Sequence, residues 1–253
     1  MKFPLLLLLA ATPALAQRAA PDQLPTKNGP LVIQPIAHGT LVLTWNKHTI
    51  YVDPTGGAAA FAGLPAPDLI LITDIHGDHL DPKTLAALPA NRAVLVVPKA
   101  VADQLPADLD ERVAVLANGG QLDTLGVRIR AVPMYNLPDA PGARHPKGRG
   151  NGYVLSLGGQ RVYLSGDTED IAEMRALRGI DIAFVCMNRP YTMDINQAAS
   201  AVLAFQPRIV YPYHYRSQGG LSDVAAFKKL VEAGNPKIDV RQRDWYPAAP
   251  AAK

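Results

Sequence analysis

Cysteine is nearly absent from this sequence. Cys186 is the only one, so no intramolecular disulfide can hold the fold together. It stands far from the N-terminal leader, which removes the usual attachment point of a lipid anchor. No apolar run approaches the roughly 20 residues that a membrane-spanning helix needs, and charge and proline interrupt every later stretch. Blocks of basic charge are missing as well: 25 Lys and Arg are interspersed with 22 Asp and Glu, which argues against a nucleic-acid-binding stripe. No repeat recurs at a fixed period, and no segment is of long low complexity.

What is present suffices for one core. At 253 residues and 48% hydrophobic composition the chain can bury a substantial interior, and one catalytic domain is the simplest division. Residues 1–16 combine a charged start at Lys2, a leucine run and an Ala14-Leu15-Ala16 end, the pattern of a secretory signal peptide. Cleavage after Ala16, export to the periplasm or beyond, and a mature protein of charge +2 instead of +3 are the expectations. Residues 17–30, rich in Pro, Ala and polar groups, are expected as an extended segment. Residues 31–246 form the domain, and the Ala/Pro-rich 247–253 a flexible tail.

Alternating and continuous apolar runs predict strands over 31–36, 40–45, 49–52, 69–73, 93–97, 127–133, 152–157, 161–165, 182–186 and 209–211. Hairpin turns are expected at Asn46-Lys47 and Gly158-Gly159, where Asn and Gly tolerate positive φ. Helices are predicted over 82–88, 99–105, 171–177, 195–205 and 222–233. In the last two, apolar residues recur at helical spacing as core faces. The class is mixed α and β, and hairpins with inserted helices argue against a simple doubly wound parallel sheet.

The densest chemical signal follows the run Leu69 to Ile72: Thr73-Asp74-Ile75-His76-Gly77-Asp78-His79. Imidazole nitrogens and carboxylate oxygens suit zinc and related divalent ions, and a tight turn after a strand can aim several at one point. The alternative is a polar turn whose Asp and His groups cap backbone amides. Two further strand ends weigh against it, Ser165-Gly166-Asp167-Thr168 after Val162 to Leu164, and Tyr213-His214-Tyr215 after Ile209 to Pro212.

In order and context these segments resemble the metallo-β-lactamase superfamily, with its His-x-His-x-Asp-His turn, its metal-bridging strand-end Asp and its late His. Ala37-His38-Gly39-Thr40 and Tyr51-Val52-Asp53-Pro54 are similar to elements of the lactonase-like and phosphodiesterase-like branch. The resemblance implies an αββα sandwich of two mixed sheets flanked by helices, binding one or two divalent ions, with Zn²⁺ the first expectation and Mn²⁺ or Fe²⁺ open. It implies Asp74, His76, Asp78, His79, Asp167 and His214 as metal ligands. Asp78 would also orient or deprotonate the attacking water.

Two positions depart from the family pattern. Asp74 replaces its first turn histidine, supplying oxygen where nitrogen is usual. Asn136, after Val132-Pro133-Met134-Tyr135, stands where another liganding histidine is usual. Either Asn136 offers an amide oxygen, or His145 swings in as a ligand or substrate contact, or His145 is a loop histidine without a role. His38 is expected to line the site's wall. Lys147, Arg149 or a tyrosine such as Tyr213 would steady developing negative charge. His48 reads as a surface residue and Cys186 as core.

A small-molecule ester, lactone or phosphodiester, with room for an anionic one, is the expected substrate. A β-lactam is the alternative within catalysis. A non-catalytic protein that keeps a degenerate metal site is the alternative outside it. Sequence sets no oligomeric state.

Overall fold

The computed structural model describes residues 18–140 and 142–246. The signal peptide expected over 1–16 and the tail expected over 247–253 lie outside the described residues. Two seven-stranded sheets stack face to face. The first runs β1 (Asp22–Leu24), β2 (Leu31–Ala37), β3 (Thr40–Trp45), β4 (His48–Val52), β5 (Leu69–Leu71), β6 (Val94–Val97) and β7 (Val113–Val115), in that order. The second holds β8 (Gln121–Thr124), β9 (Val127–Met134), β10 (Gly150–Leu157), β11 (Gln160–Leu164), β12 (Ile182–Cys186), β13 (Ile209–Tyr213) and a last strand, β16 (Asp239–Val240). A separate two-stranded ribbon pairs β14 (Arg216–Ser217) with β15 (Gly220–Leu221).

Both large sheets follow one plan. An antiparallel meander, β1 to β4 or β8 to β11, passes into a parallel set, β4 to β7 or β11-β12-β13-β16. Asn46 and Lys47 (φ 47° and 68°) close the β3-β4 hairpin, and Gly158 and Gly159 (φ 55° and 80°) close β10-β11. Paired positive φ matches the right-handed twist of the flanking strands, as expected from sequence.

Because both faces of the central strands are covered, their apolar residues run without interruption and the period of two sorts them by layer. Leu41, Leu43, Leu69 and Leu71 point between the sheets, whereas Val42, Ile70 and Leu95 point outward. The outward set packs with Leu85 of α1 (Pro82–Ala87) and Val101 of α2 (Lys99–Ala102). Across the second sheet lie α3 (Ala172–Arg175), α4 (Ile195–Phe205) and α5 (Val224–Gly234), which bury Met174, Ala198, Val202, Phe205, Phe227 and Val231. The result is the expected αββα sandwich.

Helix starts are written in the sequence. Asp81 accepts from Lys83 N and Thr84 N ahead of Pro82. Asp194 and Gln197 form a reciprocal capping box. Helices α2 and α3 are shorter than predicted; Pro106 disfavours helix through Leu105. The segment 17–30 is not merely extended: Asp22 to Leu24 pair with Leu31 to Ile33 as an edge strand, and Thr26 and Lys27 accept from Trp45 Nε1 at 2.8 and 3.1 Å.

Candidate metal centre

At one rim of the sandwich the C-terminal ends of parallel strands from both sheets meet, the place where open α/β sheets leave loops free to bind ligands. Asp53 follows β4, the 73–79 turn follows β5, Asp167 follows β11, Asn188 follows β12 and His214 follows β13. Asp53, His38 and His214 hold left-handed backbone (φ 44°, 53° and 48°), at a cost of order 1 kcal/mol each. Their neighbours must over-determine these conformations. Gly39 is required by close approach: a Cβ there would sit 3.0 Å from the His214 ring. Gly166 (φ 60°) turns Asp167 inward, its N–H donating to the Tyr213 hydroxyl at 3.0 Å.

His79 is the hub. Its Nδ1 lies 2.8 Å from Asp53 Oδ2, which also accepts the Thr73 hydroxyl at 2.7 Å, while Asp53 Oδ1 accepts Thr73 N at 2.7 Å. Nδ1 therefore carries a proton, and Nε2 is aimed at His214 Nε2 (3.2 Å) and Asp167 Oδ2 (3.3 Å). His214 Nδ1 is met at 3.1 Å by Asn188 Nδ2, while the buried Asn188 Oδ1 has no partner. With that oxygen turned to accept Nδ1–H, His214 likewise presents a lone pair at Nε2. Asp78 Oδ2 is 3.4 Å from His214 Nε2 and accepts His38 Nε2–H at 3.1 Å. His38 Nδ1 in turn accepts the Tyr246 hydroxyl at 2.7 Å, and that oxygen accepts Arg216 N at 3.0 Å.

Beside this group lies a second. His76 Nδ1 sits 2.7 Å from Asp74 Oδ2, and His145 Nε2 lies 3.9 Å from that oxygen and 3.2 Å from Asp167 Oδ2. Ligand atoms of Asp74, His76 and His145 lie within 4.8 Å of one another, and so do those of His79, Asp167 and His214. Three buried atoms here, His76 Nδ1, His145 Nε2 and Asp167 Oδ1, find no partner in hydrogen-bond geometry. Buried polar atoms left this way are costly unless something further satisfies them.

The field is that of a cation hole. Among the described residues, Asp53, Asp74, Asp78 and Asp167 stand against one guanidinium that pairs with them, Arg149 on Asp74. Burial alone would lower the His79 pKa, but the charges of Asp167 and Asp53 outweigh it and raise it well above the usual imidazole range. Burial would raise Asp167, yet His214 and His79 hold it well below the usual carboxylate range. Asp78 follows the same pattern, with His214 and His38 overcoming its burial. Two divalent ions, or one, fit this donor set of imidazole nitrogens and carboxylate oxygens.

Comparison with known proteins agrees. A family model described as a beta-lactamase superfamily domain matches residues 32–214, well over half the chain. The chain belongs to the metallo-β-lactamase superfamily. Within the superfamily it is 33% identical over 206 residues to a UPF0173 metal-dependent hydrolase of Thermococcus onnurineus, covering 78% of this chain and 90% of the relative. A crystal structure from Parabacteroides distasonis, provisionally named a metal-dependent hydrolase, superposes with a TM-score of 0.79 at 40% identity, covering 90% of this chain and 100% of that one. Igni18, a metallo hydrolase of Ignicoccus hospitalis, shares the fold with a TM-score of 0.71 at 23% identity, covering 87% and 96%.

Against this superfamily frame, the site residues expected from sequence separate. Asp74, His76, Asp78, His79, Asp167, His214 and His145 converge, and His38 lines the wall. Asn136 does not present a free ligand atom. Its Oδ1 accepts both His145 N (2.8 Å) and His145 Nδ1 (3.0 Å), and its Nδ2 donates to Tyr191 O (2.8 Å). Asn136 thus orients the histidine that stands in for the missing one. Tyr213 is buried, with its hydroxyl on Gly166 N, so it supports the Asp167 turn and touches no reacting group. Arg149 donates twice to Asp74 (3.1 and 2.9 Å), and Lys147 pairs with Glu173 at 2.8 Å, so neither expected cation is free for substrate. Cys186 is core, its thiol pushed up to about 11 by burial. Sequence reading missed the positioning role of Asp53, Asn188 and Tyr246. Only Asp53 carried a signal, the Asp-Pro after a strand.

Proposed function

We propose that the protein is an exported metal-dependent hydrolase that cleaves a small-molecule ester, lactone or phosphodiester. The observation that carries this reading is the convergence of His79, His145 and His214 on the Asp167 carboxylate, at 3.3, 3.2 and 3.4 Å, with buried ligand atoms left unpaired. Asp78, His79, Asp167 and His214 would hold one cation, and Asp74, His76 and His145 a second, with Asp167 between the groups. A divalent cation in such a site polarises the electrophile and makes a water molecule acidic near neutral pH.

The chain's own groups do the rest. Asp53 and Asn188 fix the two imidazole planes, so that both ligand nitrogens are aimed without reorganisation. Asp78, with 40% of its side chain exposed, faces the pocket and is held ionised. It is placed to accept a hydrogen bond from the attacking water and take its proton. His38 is held below the ordinary imidazole range by burial despite its bond to Asp78, and it stays neutral at pH 7. As the water oxygen bonds to carbon or phosphorus and the leaving oxygen departs, a proton from Asp78 restores the alcohol.

The test pairs metal analysis with a screen of ester, lactone, phosphodiester and β-lactam substrates. Chelation is expected to abolish hydrolysis, as are Asp78→Asn and His79→Ala in folded protein. Full activity in metal-free protein sinks the proposal, and preferential turnover of a cephalosporin would move the substrate class to β-lactams. Mass measurement of the mature protein from the periplasm, beginning at Gln17, tests export.

A further inference from the structure

Beside the metal-ligand cluster opens a pocket of ≈ 280 Å³ whose floor carries Asp78 and Asp167 and whose rim carries Arg144 and Arg216. The other cations nearby are matched to acids: Arg149 to Asp74 at 2.9 Å, Lys147 to Glu173 at 2.8 Å and Arg189 to Asp194 at 3.3 Å. Arg144 and Arg216 differ. Among the described residues neither guanidinium has a carboxylate or hydrogen-bond partner, and each instead lies 4.4 Å from the centre of a tyrosine ring, Tyr191 and Tyr246 respectively. Stacking on an aromatic face orients a guanidinium yet leaves its five N–H donors free at the edge.

Both tyrosines are tied to the catalytic wall. Tyr246 bonds His38 Nδ1 at 2.7 Å, and its oxygen accepts Arg216 N, so Arg216 is held through its backbone and its head group alike. Tyr191 O accepts from Asn136, the residue that orients His145. The two free guanidiniums are therefore built into the same frame as the reacting centre. Cations bound below them would answer the carboxylates of the floor, which leaves the rim as a positive collar.

We infer that Arg144 and Arg216 bind an anionic group, carboxylate or phosphate, that the substrate carries a short distance from the bond to be cut. This deepens the hydrolase reading and rests on it. A neutral ester fills the floor and leaves both guanidiniums with water. An acid-bearing ester adds charge-assisted hydrogen bonds to each, and a fork of N–H donors matches a carboxylate or phosphate edge.

The experiment uses the metal-loaded full chain in two arms. In the first, calorimetry follows binding of glutarate and of inorganic phosphate to the wild type and to Arg144→Gln, Arg216→Gln and their lysine counterparts, with thermal melts to certify folding. Each glutamine variant is expected to weaken binding of at least one probe about tenfold, the lysine variants less, and added salt to erode the difference. Which probe responds distinguishes carboxylate from phosphate. In the second arm, kcat/KM for mono-4-nitrophenyl glutarate is compared with that for 4-nitrophenyl acetate; the ratio should favour the acid and fall about tenfold in either glutamine variant. Arg128→Gln, a remote arginine paired with Asp123, is the control and should leave the ratio in place.

Unchanged affinity for both probes in folded Arg144→Gln and Arg216→Gln protein overturns the inference, as does equal preference for both esters that neither variant alters. Arginine-dependent glutarate or phosphate binding without turnover of any ester, lactone or phosphodiester supports the anion site while removing the hydrolase reading, so the two fail separately.

Discussion

Replacing Asp53 by asparagine should damage metal binding without unfolding the protein. The substitution keeps size and shape. The amide oxygen can retain the Thr73 N–H bond that Asp53 Oδ1 accepts at 2.7 Å. The amide nitrogen then stands where Oδ2 accepted the Thr73 hydroxyl and faced His79 Nδ1 at 2.8 Å. The threonine hydroxyl can turn and accept. His79 can accept only by moving its proton to Nε2, which points at Asp167 and His214. A protonated Nε2 has no lone pair for a cation, and it is the wrong tautomer for the pocket. Outer partners of liganding histidines are worth tenfold to hundredfold in affinity, about 1.4–2.8 kcal/mol. Competition with a chromophoric zinc chelator reads this directly, with thermal melts alongside. Thr73→Val, which removes one hydroxyl bond and leaves the tautomer alone, should cost less. If Asp53→Asn protein folds and binds zinc with wild-type affinity, Asp53 does not set the His79 tautomer.

Three shorter expectations go with it. Asn136→Ala removes the acceptor of His145 N and Nδ1, so occupancy of the Asp74/His76/His145 group should fall while the His79/His214 group still fills, giving a metal-to-protein ratio reduced by about one where two ions bind; equal loss from both groups would mean that Asn136 acts elsewhere. Asp22 is pushed up by burial, but bonds from Arg243 and Tyr211 outweigh this and hold its pKa below the ordinary value. Its stabilising contribution is then fully present well above the unfolded pKa of about 4 and lost as pH falls through the lowered folded pKa, so Asp22→Asn should lower Tm more at pH 7 than at pH 3. Asp194→Ala should cost about 1 kcal/mol and lower Tm by about 2–4 °C, read by calorimetry, since it removes the capping box of α4.

How far the sequence reaches depends on the range of the interaction. Central strands such as β5 and β12 are legible because burial on both faces forces unbroken apolar runs, and the hairpins because positive φ selects Asn and Gly. Strands β1, β7, β8 and β16 were not legible. They are short and at or near the sheet edges, and β8, Gln121 to Thr124, buries neither face fully, so no periodicity marks it. Within the site, ligands at strand ends stand out because clustered Asp and His after an apolar run are unusual. Their supports do not. Tyr246 reaches His38 across 208 residues and Arg149 reaches Asp74 across 75, pairings that only the closed sandwich creates. Arg149 looked free because the acid that neutralises it arrives from the other sheet.

The shared plan of the two sheets has a mechanical corollary. His76 and His79 grow from the first, His145, Asp167 and His214 from the second, and neither half owns a complete coordination set. A cation seated there is a clasp across the seam as much as a reagent. Emptied, the clasp leaves carboxylates from opposite sheets confronting each other across the gap. A chain severed in the 116–120 connection should accordingly rejoin its two pieces more tightly when zinc is supplied, and loading with metal should stiffen the seam before any substrate arrives.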